Sequence, residues 1–170
     1  MLLSRLFAVS CLLVLAACQF RPLYGETSST LSGDTANLAA VEVSNVSTRV
    51  GQQVRNHLVF LFTGGRPTPE KTHEAVIRVS SGRTELAAIP DPSIQDSTAG
   101  TVSVNVSYSL IDKETGKTIA TGARIGQASY DRTGQVFANQ RAVRDAENRA
   151  AREAAEAIRL AIASDINRVQ

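Results

Sequence analysis

Between Thr101 and Leu110 the chain alternates without a break, with Val102, Val104, Val106, Tyr108 and Leu110 set against Thr101, Ser103, Asn105, Ser107 and Ser109. A β-strand sends successive side chains to opposite faces, so this stretch must bury one face and leave the other in contact with water or polar groups. One polar face per strand points to an antiparallel sheet covered on one side.

The flanking segments supply the rest of that sheet and its cover. Residues 38–44 alternate in the same way, Val41 and Val43 against Glu42 and Ser44, and residues 72–89 do so through Ala75, Ile77 and Val79, as a long strand that can bend beyond Gly82. A polar loop follows over residues 90–100. Asp112 to Lys117 carries hairpin residues and leads into a further strand over residues 118–130, with Ile119, Ala123 and Ile125 as its alternating apolar set. Residues 46–62 change period: Val50, Val54, Leu58 and Leu61 recur every three or four positions, Ser47 is placed to cap the start, and Gly64-Gly65 with Pro67 and Pro69 stop the helix. A second helix covers residues 139–166, its stripe formed by Val143, Ala146, Ala150, Ala154, Ala157, Ile158 and Ala161. Asp145 with Arg149, Arg149 with Glu153 and Arg152 with Glu156 are spaced for ion pairs on its outer face. The order strand, helix, three strands, helix predicts an α+β fold: a mainly antiparallel four-stranded sheet covered on one side by two helices.

The amino terminus is of another kind. Arg5 precedes an uncharged apolar run that ends in Leu15-Ala16-Ala17-Cys18. The run falls short of the roughly 20 residues a membrane-spanning helix needs and has the layout of a signal peptide. Leucine three residues before the cut, small residues next and then cysteine make a lipobox, in which Cys18 is acylated and becomes the membrane anchor. The expected divisions are residues 1–17 as a lipoprotein signal peptide, 18–37 as a lipidated tether rich in Ser, Thr and Gly, and 38–170 as one domain. The other cysteine, Cys11, is removed with the leader, so no disulfide is expected in the mature chain. Arg5 is the only charged residue of the leader, and 18 basic against 16 acidic side chains in the whole chain give no general attraction to nucleic acid. With five Phe, three Tyr and no Trp, the core has to be aliphatic.

Catalytic chemistry finds little support. His57 and His73 have no cysteine or clustered carboxylate near them in sequence, so neither a metal site nor any other cofactor is expected. No Gly-x-Ser-x-Gly elbow, phosphate-binding loop or dinucleotide fingerprint is present. Glu153 and Glu156 lie among arginines, where ion pairing accounts for them. The expectation is a protein that is not an enzyme.

After Cys18 comes Gln19-Phe20-Arg21-Pro22-Leu23-Tyr24-Gly25, then the strand, helix, three strands and charged helix already described. This resembles the LptE-type lipopolysaccharide-assembly lipoproteins over essentially the whole chain. The resemblance implies a lipoprotein on the periplasmic side of the outer membrane that plugs the LptD β-barrel, supports its assembly and helps lipopolysaccharide reach the cell surface. Gln19, in place of the aspartate that retains many lipoproteins in the inner membrane, agrees with that address. Family members are thought to touch lipopolysaccharide phosphates through basic side chains. Residues 88–100 contain none, which leaves Arg78, Arg83, Arg124, Arg132 and Arg141 as candidates. Two other classes share the anchor: a lipid-anchored periplasmic binding or scaffold module unrelated to lipopolysaccharide, and an anchored hydrolase.

Overall fold

Residues 38–65, 67, 69–85, 99–133 and 135–169 are described by the structure, a computed structural model. The elements run β1 (Val41–Val43), α1 (Arg49–Thr63), β2 (His73–Glu85), β3 (Ala99–Asp112), β4 (Thr118–Asp131) and α2 (Val136–Val169). The four strands form one sheet in the order β1-β2-β3-β4. β1 runs parallel to β2, with α1 as the crossover, and the two remaining pairs are antiparallel. The predicted α+β architecture is therefore present. Cys18, the lipobox, the tether and the loop at 90–98 lie outside the described residues.

Alternation on β3 places all of Val102, Val104, Val106, Tyr108 and Leu110 in the core, beside Ala75 and Ile77 of β2 and Val41 and Val43 of β1. Both helices cover this face, α1 over β1 and β2, α2 over β3 and β4. The opposite face carries the serines, threonines and Asn105 of β3, with Ser80 and Thr84 from β2 and Gln127 and Ser129 from β4 in register beside them. Two long cross-strand polar contacts tie it together: Gln127 Nε2 donates to Ser103 Oγ at 3.4 Å, and the Thr101 and Ser129 hydroxyls lie 3.4 Å apart.

α1 begins one residue later than the capping signal suggested. Thr48, not Ser47, is the N-cap: its backbone is extended and its Oγ1 accepts from Gly51 N–H at 3.1 Å. Gly64 closes the helix at φ 59°, a left-handed conformation that costs glycine little, and its N–H donates to Phe60 O at 2.7 Å. Val50, Val54, Leu58 and Phe62 are buried, whereas Leu61, expected in the stripe, is only half-buried against the core. The expected hairpin is built on Asp112. Its Oδ1 accepts from Glu114 N–H and Thr115 N–H at 2.9 and 2.8 Å, and these bonds, that from Thr115 first, hold its carboxyl below the usual aspartate range.

β4 departs from expectation. Ile125, in the predicted apolar set, is 56% exposed on the open face. The helix-side residues are Ala120, Gly122, Arg124, Gly126, Ala128 and Tyr130, which pair with the buried residues of β3. The reason is the helix above: Gly126 lies against the α2 backbone, where an added Cβ would come within 2.6 Å of Ala154 N. Ala146, Ala150, Ala154 and Ala161 are small enough to allow that approach, and Ile158, Ile162 and Ile166 fill the space farther along. Ala157 and Val143 are half-buried. Of the three outer ion pairs expected on α2, Arg149 Nε to Asp145 Oδ2 forms at 2.8 Å. Glu153 instead accepts from Gln127 N–H, and Glu156 faces His57 of α1 at 3.7 Å. No helix among the described residues is long and apolar enough to cross a membrane.

Candidate functional site

At the end of the sheet where β2 and β4 finish and β3 begins, the inner face of β2 changes character. Ala75, Ile77 and Val79 give way at the same alternation to Ser81, Arg83 and Glu85. Arg83 Nη2 donates to Glu147 Oε1 at 2.7 Å, and Arg49, the first residue of α1, donates to the other carboxylate oxygen. Arg49 Nη1 also donates to Asn148 Oδ1 at 3.0 Å. Glu147 is 7% exposed and is the buried charged residue of the described chain. Burial pushes its pKa up, but the hydrogen bonds from Arg83 and Arg49, with the charge of both guanidinium groups, outweigh this and hold the carboxyl below its ordinary value. One carboxylate thus joins β2, α1 and α2 and fixes two arginines.

Around this junction lie two clefts of about 410 and about 430 Å³ that share Arg83 and Arg144. Arg49 and Glu147 line the first; Glu85, Tyr130, Arg132 and Asn139 line the second. Arg132 Nη1 donates to Glu85 Oε2 at 2.8 Å. Four arginines face two carboxylates, so the region carries excess positive charge, and a planar guanidinium can offer two parallel N–H groups to a phosphate. The arrangement suits anion binding.

Of the five arginines singled out from the sequence, the structure brings together Arg83 and Arg132. Arg78 stands on the open face of the sheet beside Ser107, Arg124 lies midway along β4 on the helix side, and Arg141 is exposed on α2 without lining either cleft. Arg49, Arg144 and Glu147 join Arg83 and Arg132 from α1 and α2, outside the set the sequence marks. A signal for Glu147 was present: it interrupts the four-residue ladder Val143, Ala151, Ala155, where a lone acid on an apolar row needs a buried partner. His57 and His73 fall in no cluster of potential metal ligands among the described residues.

These features define a two-layer α+β domain with helices on one sheet face, a polar open face and a cationic end. The chain belongs to the LptE family, described as lipopolysaccharide-assembly, whose model matches residues 37–162. Membership gives it a role in lipopolysaccharide assembly. Solved structures share the fold. A protein of Caulobacter crescentus CB15 classed as a lipoprotein is 20% identical, with a TM-score of 0.64 over 79% of this chain and 96% of that one. Rare lipoprotein B of Shewanella oneidensis is 14% identical, with a TM-score of 0.55 over 76% and 97%. A minor lipoprotein of Acinetobacter baumannii is 13% identical, with a TM-score of 0.53 over 74% and 90%. No curated protein sequence matches the chain.

Proposed function

We propose that this protein is an outer-membrane lipoprotein, anchored through Cys18 on the periplasmic side, that plugs and helps assemble an LptD-type β-barrel and so supports delivery of lipopolysaccharide to the cell surface. It works by binding and not by catalysis. The observation that carries this reading is the open sheet face. A domain seated in a barrel lumen needs a surface that matches polar walls, and β3 presents Thr101, Ser103, Asn105, Ser107 and Ser109 on the side that neither α1 nor α2 covers. The cationic clefts add a place for lipopolysaccharide phosphates.

The test is affinity purification of the tagged full chain from detergent-solubilised outer membranes, combined with depletion. The expected results are recovery of a large β-barrel protein, and, on depletion, low barrel levels, less lipopolysaccharide at the surface and entry of large hydrophobic antibiotics. Normal barrel levels with normal surface lipopolysaccharide after depletion would overturn the proposal.

A further inference from the structure

The outer edge of β4 is closed along one part and open along another. Gln127 N–H donates to Glu153 Oε2 at 3.0 Å, and Arg149 Nη2 donates to Ser129 O at 2.7 Å, so two side chains of α2 satisfy edge groups that none of the described strands meets. In an antiparallel ladder, alternate residues turn both backbone groups away from the neighbouring strand. Since Gln127 and Ser129 face outward, so do Thr121, Ala123 and Ile125, which pair with Ser109, Ser107 and Asn105. Along this second stretch Arg124 Nη1 donates to Ala123 O at 2.7 Å, and no described residue meets the outward groups of Thr121 and Ile125 or the Ala123 N–H.

The opening follows from the path of α2. The helix crosses β4 at Gly126 and continues to Asp165, which accepts from Tyr108 opposite Gly122 on the neighbouring strand, so beyond Glu153 it draws away from the edge. Leu160, two turns after Glu153 and on the same side of the helix, is 63% exposed; Ile125, on the other side of the sheet, is 56% exposed. Arg124, next to Ile125 on the helix side of the strand, forms no ion pair among the described residues.

We propose that β4 from Thr121 to Ile125 is a strand-addition site for an extended polypeptide segment that carries a carboxylate. The incoming strand bonds to the outward backbone groups, sets its acid opposite Arg124 on the helix side and covers Ile125 with an apolar side chain on the other face. A second copy fits poorly, because antiparallel pairing centred on Ala123 makes the two Arg124 side chains diagonal neighbours about 7–8 Å apart. The proposal stands apart from the barrel-plug reading.

Amide hydrogen exchange of the full chain tests it, with a short synthetic peptide of alternating threonine and valine and one central glutamate as the probe. Thr121, Ala123 and Ile125 amides should exchange fast in the free protein, with Gln127 slower, and the peptide should slow all three. A version with lysine in place of glutamate should bind about tenfold more weakly, and Arg124→Glu should reverse that preference. Ala123→Pro removes one outward N–H without touching the ladder to β3 and should abolish protection while leaving the melting temperature close to that of the parent. Unprotected amides, equal binding of both peptides by the parent, or protection of the same amides through self-association would each overturn the proposal.

Discussion

Glu147 of α2 and Arg83 of β2 lie 64 residues apart in sequence and meet at 2.7 Å. With Arg49 on the other oxygen, the pair pins the start of α1 and the end of β2 to the second helix. Removing one member of a buried ion pair leaves the other charge uncompensated, a loss of about 3–5 kcal/mol when both partners are buried. Arg49 and Arg83 are about half-exposed, so water can take over part of their charge, and Glu147→Gln should cost about 1–2 kcal/mol. The pH dependence has a definite sign. The folded pKa of Glu147 is lowered from 4.5, so its contribution is complete above that value and fades as pH falls through the lower folded pKa. Denaturation of parent and Glu147→Gln should therefore differ by a constant amount near neutrality, and the gap should narrow in acid. A gap that widened in acid would contradict the assignment.

The rotation of α1 can be measured by two truncations. Leu58 is fully buried and Leu61 half-buried. Leu58→Ala should cost about 2–5 kcal/mol, and Leu61→Ala less than half as much. Equal losses in chemical denaturation would mean that the helix presents a different stripe to the sheet.

Tyr108 closes the opposite end of the helix layer. Its hydroxyl donates to Asp165 Oδ2 at 2.5 Å; burial first, then this bond and the aspartate charge, push the phenol up from 10.0 to about 12. Stability from this group is complete below pH 10 and is lost as pH rises through the folded pKa. Ultraviolet titration should show one tyrosine ionising late. Tyr108→Phe should abolish that late step and cost about 1 kcal/mol.

What the sequence could show was set by how locally each feature is determined. β3 is legible because its buried face is made of its own large side chains in unbroken alternation. β4 is less so, because Gly126 and Ala128 on its helix side are small where α2 crosses: Ile119 packs partly against the core, but Ala123 and Ile125, in the same apolar alternation, lie on the open face. Gly126 makes sense only with Ala150 and Ala154 above it. The N-cap is ambiguous by one residue in the sequence, since Ser47 and Thr48 can both cap and only the backbone decides for Thr48. The cationic end was half-visible: Arg83 and Arg132 could be named as phosphate-type residues, but their meeting with Arg49 and Arg144 depends on sheet register and helix rotation, which no local pattern contains.

That convergence ranks the arginines for a functional measurement. Arg83 is committed to Glu147, whereas Arg144 has no carboxylate partner among the described residues and Arg132 is paired with the mostly exposed Glu85, a weak competitor for a phosphate. Arg132→Glu and Arg144→Glu should each lower the affinity of the purified protein for a phosphorylated lipid several-fold, and the double change by about tenfold or more, since both guanidinium groups line one cleft. Arg78→Glu, on the open sheet face, should leave affinity nearly unchanged in physiological salt, where electrostatic interactions decay over about 8 Å, and Arg141→Glu, outside the clefts but one helical turn from Arg144, should have a smaller effect than Arg132→Glu or Arg144→Glu. On the proposed plug role, recovery of a barrel partner should survive all four single changes, because a plug would hold by a broad surface. Binding measured by calorimetry against phosphorylated and dephosphorylated forms of the same lipid separates a charge effect from an apolar one. Equal losses at all four arginines would indicate a diffuse electrostatic attraction and remove the clefts as the site.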